Sequence, residues 1–447
     1  MSTHDLIIRN GLVYDGTGAA AFQADIAIDA GHISRIGPIG EKLDASGREE
    51  IDASGKIVTP GFVDIHTHYD GQVSWGETLD PSSLHGVTTA VMGNCGVGFA
   101  PCHEKDHDRL IRLMEGVEDI PFPVLTEGLP WKWKSFGDYL DFLAPRRFDI
   151  DVAAQLPHAA LRVFVMGERG ANRKDATADE IAEMQKLACE AMQAGALGFS
   201  TSRTLNHRTA DGQPTPTLTA SEEELTGIAL GLKQAGRGVL QFVSDFNDPE
   251  NEAMMLRRIV ETSGRPLSVS LAQADVAPHS WRRLLDVIEQ ASQDGLPMRA
   301  QVGPRPVGVL LGLELTLNPF SAHPSFAEIA HLPLAEKQQK LRDPTFRAKL
   351  LAETPSADDP FVVSLLRNFG KLFTLGNPPN YEPTADRTIE AIAAKRHVSA
   401  ERVALDLMLD DDGTGMLYLP FLNYAQGSLD PCYDMLKSDA SLPGLSD

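Results

Sequence analysis

The segment Val58-Thr-Pro-Gly-Phe-Val-Asp-Ile-His-Thr-His-Tyr-Asp70 decides how this sequence is read. It is a short apolar run introduced by Pro60-Gly61 and closed by two histidines, with Asp64 and Asp70 on either side. In a strand, residues i and i+2 point to the same face. His66 and His68 are therefore expected to face one side together, with Thr67 turned away, and to share one ion at about 2.0–2.1 Å per nitrogen. A bare His-x-His also arises by chance, as two polar residues near a strand end. A rigid apolar support and flanking carboxylates able to hydrogen-bond the imidazoles favour the metal reading.

Before this segment, residues 1–57 alternate apolar and polar positions in short runs, Leu6-Ile-Ile-Arg-Asn-Gly-Leu-Val-Tyr, Asp25-Ile-Ala-Ile-Asp and His32-Ile-Ser-Arg-Ile, broken by glycine-rich turns. They are expected to form a small antiparallel β module. From residue 58 onward the pattern changes to βα units, as in a parallel barrel. Val87-Thr-Thr-Ala-Val-Met-Gly, Ala196-Leu-Gly-Phe-Ser, Val239-Leu-Gln-Phe-Val and Leu267-Ser-Val-Ser-Leu read as strands, and 178–194, 221–235, 250–263 and 280–294 have helical spacing. Two stretches interrupt the rhythm, at about 103–144, with Trp131 and Trp133, and at 314–387; both are expected as insertions over the barrel mouth. Helical spacing returns over 384–410, and Gly415-Met-Leu-Tyr-Leu-Pro reads as a further strand. The stop at Leu442-Pro-Gly-Leu-Ser-Asp447, without partner strands for the N-terminal module, is read as truncation of a longer barrel protein.

The second chemical feature is Gly86-Val-Thr-Thr-Ala-Val-Met-Gly-Asn-Cys-Gly96, a strand followed by a tight turn. Cys95 alone could be a small buried hydrophobe. Beside a metal its thiolate becomes a strong ligand, with Zn–S near 2.3 Å. Cys102, Cys189 and Cys432 have no such context and are read as structural; four cysteines without a CxxC pair do not make a disulfide framework. Asp447, closing Gly-Leu-Ser-Asp, could cap a helix or, beside an ion, hold it and take a proton from water. His158 and His207 follow strand-like runs and are read as structural or substrate-contacting. Arg203 and Arg208 could pair with a substrate carboxylate. The run Ser200-Thr-Ser-Arg203 lacks a GxSxG elbow, which argues against a serine nucleophile.

The bulk properties narrow the class. With 42% hydrophobic and 23% charged residues the chain reads as a globular protein. A net charge of −22 opposes binding to nucleic acid or anionic membranes. No apolar run approaches the ~20 residues of a membrane span. The start, Met-Ser-Thr-His-Asp, has no signal-peptide pattern, so a cytoplasmic location is expected.

Taken together, Gly-Phe-Val-Asp-Ile-His-Thr-His-Tyr-Asp, Gly-Val-Thr-Thr-Ala-Val-Met-Gly-Asn-Cys-Gly, Val165-Met-Gly, Gly195-Ala-Leu-Gly-Phe-Ser200 and Gly-Leu-Ser-Asp447 resemble the D-aminoacylase (N-acyl-D-amino-acid deacylase) branch of the amidohydrolase superfamily. The resemblance spans nearly the whole chain; the His-x-His is shared superfamily-wide, whereas the Gly-Asn-Cys-Gly turn points to this branch. It implies an α/β fold, a distorted (β/α)8 TIM-like barrel with a small β-sandwich, and zinc-dependent hydrolysis of N-acyl-D-amino acids. It also implies His66, His68 and Cys95 as metal ligands and Asp447 as both ligand and catalytic acid/base.

The family's tightly bound zinc uses two further histidines from later strands. The corresponding strands here, Val239-Leu-Gln-Phe-Val-Ser-Asp-Phe and Leu267-Ser-Val-Ser-Leu-Ala-Gln-Ala-Asp, contain none. Gln241, Asp245, Gln273 and Asp275 lie near those strand ends, and amides are poor zinc ligands beside imidazole. The expectation is therefore one Zn2+ held by His66, His68, Cys95 and Asp447, with Arg203, His207, Gln241 and Gln273 toward a small N-acylated substrate. A hydrolase of another amide, ester or cyclic substrate, or a catalytically silent ligand-binding barrel, are the alternatives.

Overall fold

A computed structural model describes residues 2–356 and 360–444. Two compact units divide it: Met1–Val63 with Asp80–Thr89 and Asp149–Asp151, and Asp64–Leu79 with Ala90–Phe148 and the described residues from Val152 onward.

The first unit carries a five-stranded sheet. Ser2–Val13 pairs antiparallel with Phe22–Asp29, which pairs antiparallel with His32–Ile36. The expected all-antiparallel module needs correction, because Ala45–Asp52 and Ile57–Val58 both pair with Ser2–Val13 in parallel. Residues 37–44 carry the chain across to the other edge of Ser2–Val13, and the next strand there runs in the same direction as Ser2–Val13. Arg9 fastens that crossing: its guanidinium donates to Asp25 at 2.9 Å, to the Leu43 and Ala45 carbonyls, and to Glu50 at 2.7 Å.

The second framework is an eight-stranded sheet, in the order Ser441–Pro443, Met298–Val302, Leu267–Leu271, Val239–Ser244, Gly198–Arg203, Asp151–Pro157, Val87–Met92, Phe62–Asp64. The pairings from Asp151–Pro157 through to Ser441–Pro443 are all parallel, giving a curled TIM-like half-barrel. Helices alternate with the strands where the spacing predicts them. Ala178–Ala194 starts with a capping box of Thr177 and Glu180 and stops at Gly195. Glu222–Ala235 is capped by Ser221 and Pro249–Ser263 by Asp248, and each ends on a left-handed glycine, Gly236 and Gly264. Ser280–Gln293 buries Trp281, Leu284, Leu285 and Ile288 along one stripe.

The two irregular stretches are folded. Within 103–144 lie the helices His107–Glu118, Phe122–Gly128 and Phe136–Leu143. Residues 311–419 build a core of their own around Leu313, Phe320, Leu341, Leu350, Leu405 and Leu417. The strand expected near Gly415 is Leu417–Leu422, but it pairs antiparallel with Val307–Leu311 and Phe373–Thr374, outside the curled sheet. No helix among the described residues is long and apolar enough to cross a membrane.

Behind the curled sheet a buried ionic cluster ties two helices together. Glu224 accepts from Arg162 Nε at 2.8 Å and contacts His158 Nε2 at 2.9 Å, while His158 Nδ1 meets Thr201 Oγ1 at 2.7 Å. Burial alone would raise the Glu224 carboxyl, but His158 and Arg162 outweigh it and bring it down to about 2. Glu224→Gln leaves Arg162 buried without its counter-charge and is expected to cost about 3–5 kcal/mol in urea unfolding. Because the folded value lies below the ordinary 4.5, this stabilisation is present above pH 4.5 and lost as pH falls toward 2. Unfolding midpoints of the wild type and the variant should converge over that window.

Candidate metal centre

The strand Phe62–Asp64 ends just before His66, and the chain bends so that His66 is 1% exposed. Thr67 is spent on the neighbouring strand, its N–H and hydroxyl both reaching the Val91 carbonyl, at 3.0 and 2.9 Å. The two imidazole centroids lie 5.5 Å apart. Cys95 joins them: one ligand atom each from His66, His68 and Cys95 lie within 4.8 Å of one another. His66 Nε2 is 3.1 Å from Cys95 Sγ.

The thiol is delivered by a turn whose polar groups are tied down on every side. Cys95 sits in left-handed backbone, φ +53, between Gly93 and Gly96 at φ +77 and +70. Gly93 N donates to Asp70 Oδ2 at 3.0 Å, Cys95 N to Gln241 Oε1 at 3.2 Å, and Gly96 N to Ser200 Oγ at 2.9 Å. Ser200 Oγ donates in turn to the Gly93 carbonyl. Asn94 Nδ2 reaches the Val91 and Thr67 carbonyls and its Oδ1 accepts from Gln155 at 2.7 Å. A Cβ at Gly93 would lie 2.3 Å from the Gln155 carbonyl oxygen, so only glycine fits.

The imidazoles are held neutral. Burial takes His66 down to about 4, a drop that the contact of Nδ1 with Gln301 Oε1 at 2.9 Å only moderates. Burial, with His66 and His207 adding, keeps His68 well below its usual range, although Glu118 Oε1 lies 3.2 Å from its Nε2. Burial and then His66 bring His207 down to about 4. Neutral imidazoles and a thiolate, which Cys95 becomes by losing its proton to bind, are donors that zinc prefers, so the residues fit such an ion.

The other residues singled out in the sequence fall as follows. His207, whose Nδ1 meets Ser202 Oγ at 2.8 Å, sits close enough to His66 and His68 to be felt by both. Arg203, at the end of the same strand, contacts Met255 Sδ at 3.4 Å and Glu252 at 3.9 Å. Its buried Nε has no hydrogen-bond partner among the described residues. Gln241 supports the cysteine turn and donates to Ser270 Oγ at 3.3 Å. Gln273 is tied to residues 423–426, accepting from Ala425 N at 3.0 Å while its own N–H donates to Asn423 Oδ1. Asp245 accepts from Leu205 N, and Asp275 pairs with Lys371. His158 has both ring nitrogens engaged in the Glu224 cluster. Asp447 lies outside the described residues. Sequence reasoning missed Gln301, Ser200, Gln155 and Glu118, none of which belongs to a metal-ligand spacing pattern.

A curled sheet of parallel strands presenting two imidazoles and a thiol beyond its strand ends defines a metal-site barrel of the TIM type. The chain belongs to the amidohydrolase family, whose model matches residues 49–447. It is 36% identical over 197 residues to a D-aminoacylase of Alcaligenes xylosoxydans xylosoxydans, covering 44% of this chain and 37% of that protein. It is 37% identical over 199 residues to an N-acyl-D-aspartate deacylase of the same organism, covering 44% and 36%. These matches thus span little more than a third of the relatives' lengths. A solved D-aminoacylase, described by its binuclear metal centre with one-metal activation and second-metal attenuation, superposes with TM-score 0.61 at 25% identity, over 99% of this chain and 75% of that one.

The turn geometry gives a direct test. Gly93→Ala is expected to destabilise by about 1–3 kcal/mol, since it combines positive φ with the backbone clash. Gly137→Ala, in a helix with 3.6 Å of clearance to Ala194, is expected to be neutral or stabilising by up to about 1 kcal/mol. Urea unfolding of both variants measures the difference.

Proposed function

We propose that this chain is the metal-binding barrel of a hydrolase that cleaves linear amides, deacylating N-acyl-D-amino acids or similar N-acyl compounds. The observation that carries the reading is the buried convergence of His66, His68 and Cys95 within 4.8 Å. Relatives named for the deacylation of D-amino acids and D-aspartate support the substrate class. The fold is also that of an N-acyl-D-glutamate deacylase from Bordetella bronchiseptica solved with zinc and a phosphonate mimic of the tetrahedral intermediate. The partner is a small N-acylated molecule, met in the cytoplasm, and a net charge of −22 weighs against nucleic acid or membrane.

His66, His68 and Cys95 would hold Zn2+, together with Asp447, which enters from the sequence alone. The bound ion supplies Lewis acidity, lowering the pKa of water toward ~7 and polarising the acyl carbonyl. The chain's own contribution is placement. Gln301 orients His66, the Gly93–Gly96 turn aims Cys95, and Asp447 accepts the proton from the attacking water and returns it to the leaving nitrogen. Arg203, whose buried Nε has no hydrogen-bond partner among the described residues, is suited to a substrate carboxylate, and His207 to the acyl group beside the imidazole pair. A single ion is favoured because Gln241 and Gln273 stand where further imidazoles would be needed and are engaged by backbone.

Hydrolysis of paired N-acetyl-D- and N-acetyl-L-amino acids tests the reading. We expect turnover of D substrates that chelation abolishes and Zn2+ restores. His66→Ala should lose metal and at least ~10^3-fold in kcat/KM, about 4 kcal/mol of transition-state stabilisation, while keeping its circular dichroism. Turnover that survives complete metal removal would refute it.

A further inference from the structure

The loop after the strand Gly198–Arg203 brings His207 to the site from outside both the His-x-His and the cysteine turn. Its place is fixed from two sides. On one, Ser200 and Ser202 share a face of that strand. Ser200 Oγ accepts from Gly96 N at 2.9 Å, and a Cβ on Gly96 would lie 3.2 Å from Ser202 N. Ser202 therefore stands one step nearer the strand end than the serine that supports the Cys95 turn, and its Oγ lies 2.8 Å from His207 Nδ1. On the other side, Arg208 is wedged against the helix His107–Glu118: a Cβ on Gly116 would lie 2.2 Å from the Arg208 carbonyl oxygen, and Ala210 N donates to the Arg112 carbonyl at 2.9 Å. Two residues past Gly116, Glu118 Oε1 is 3.2 Å from His68 Nε2. His207 thus sits between the cysteine turn and the helix end that meets His68. Burial, then His66, hold its ring neutral, at about 4.

The serine decides which nitrogen of that ring carries the proton. Ser202 is 0% exposed, and among the described residues its hydroxyl has no partner other than His207 Nδ1. If Nδ1 were the donor, the Ser202 O–H would be buried without an acceptor, which costs the full desolvation of that group. The O–H therefore donates to Nδ1, and the proton of the neutral ring sits on Nε2. Nε2 has no hydrogen-bond partner among the described residues, yet is not one of the buried atoms left unpaired, so it opens on accessible space. The ring is anchored at one nitrogen and offers an N–H at the other.

We propose that His207 is a catalytic residue of the deacylation: its Nε2–H donates to the acyl oxygen as negative charge gathers there, and Ser202 is the positioning residue that fixes it as the donor. This rests on the reading of His66, His68 and Cys95 as the metal centre of an amide hydrolase. When the oxygen of water bonds to the acyl carbon, the carbonyl π pair moves onto the acyl oxygen; when the C–N bond breaks, the pair returns. His207 gives up no proton in either step, so a neutral imidazole serves, and a donor already in place costs no reorganisation as the charge develops. The Ser202 hydroxyl, buried and spent on the ring, is no nucleophile.

Nitrogen-15 NMR of the metal-free protein reads the tautomer directly. His207, assigned by its loss in His207→Gln, is expected as Nε2–H, with mixed tautomers in Ser202→Ala. In the zinc-loaded protein, kinetics on an N-acetyl-D-amino acid and calorimetry with its phosphonate analogue read the donor. His207→Ala should lose about 10^2–10^3-fold in kcat, with a similar loss of phosphonate affinity and unchanged zinc affinity. His207→Gln, which keeps an N–H, should recover part of both. Ser202→Ala should lose about 2–10-fold in kcat with KM unchanged, and Ser202→Thr, which keeps the hydroxyl, should restore kcat and tautomer. An Nδ1–H tautomer in the wild type overturns the proposal. So does zinc affinity that falls in His207→Ala, which would make the ring a ligand, or phosphonate affinity that stays the same. Zinc-loaded wild type that neither turns over the substrate nor binds the phosphonate overturns the deacylase reading itself, so the two failures are distinguishable.

Discussion

The structure of the site depends on one turn. Cys95 meets His66 from a turn in which Gly93, Cys95 and Gly96 all take left-handed backbone. That path is costly for a residue with a side chain. It persists because Asp70, Gln241, Ser200 and Gln155 occupy the turn's polar groups from four different parts of the chain. Each of these is a buried bond whose loss would leave an unsatisfied group, so the turn is over-determined rather than merely tolerated. The scaffold's role is to bring those four supports together.

Two side-chain amides serve the same placement. Gln241, in the strand Val239–Ser244, spends its oxygen on the Cys95 backbone. Gln301 spends its oxygen on His66. Both hold a candidate ligand in place: Gln241 the Cys95 turn, Gln301 the His66 ring.

Much of the fold was legible because local signals agreed. Thr177, Ser221 and Asp248 cap helices where the 3.6-residue spacing begins, and Gly236 and Gly264 end them. The short apolar runs at Val239 and Leu267 became neighbouring parallel strands. What escaped was non-local or lacked a period. Met298–Val302 carries Arg299 and Gln301 inside five residues, which hides a strand, and the contact from Gln301 to His66 spans 235 positions. The parallel pairing of Ala45–Asp52 with Ser2–Val13 is a choice of edge and direction, which no alternation pattern encodes. In the site, the His-x-His and the cysteine turn were readable as motifs closing apolar runs, although the strand Phe62–Asp64 stops before His66. Glu118 was not, because a glutamate on an amphipathic helix looks like ordinary solvated charge until the fold places it against His68.

The central claim is that two strand-end imidazoles and the turn thiol form one metal centre. Diffraction from zinc-loaded crystals, with data on both sides of the zinc absorption edge, tests it most directly. The account predicts one anomalous peak bonded to His66, His68 and Cys95, with Zn–N near 2.0–2.1 Å and Zn–S near 2.3 Å. A fully loaded crystal whose only peak lies away from these three side chains, or bonds to the imidazoles with the Cys95 thiol turned aside, would contradict it.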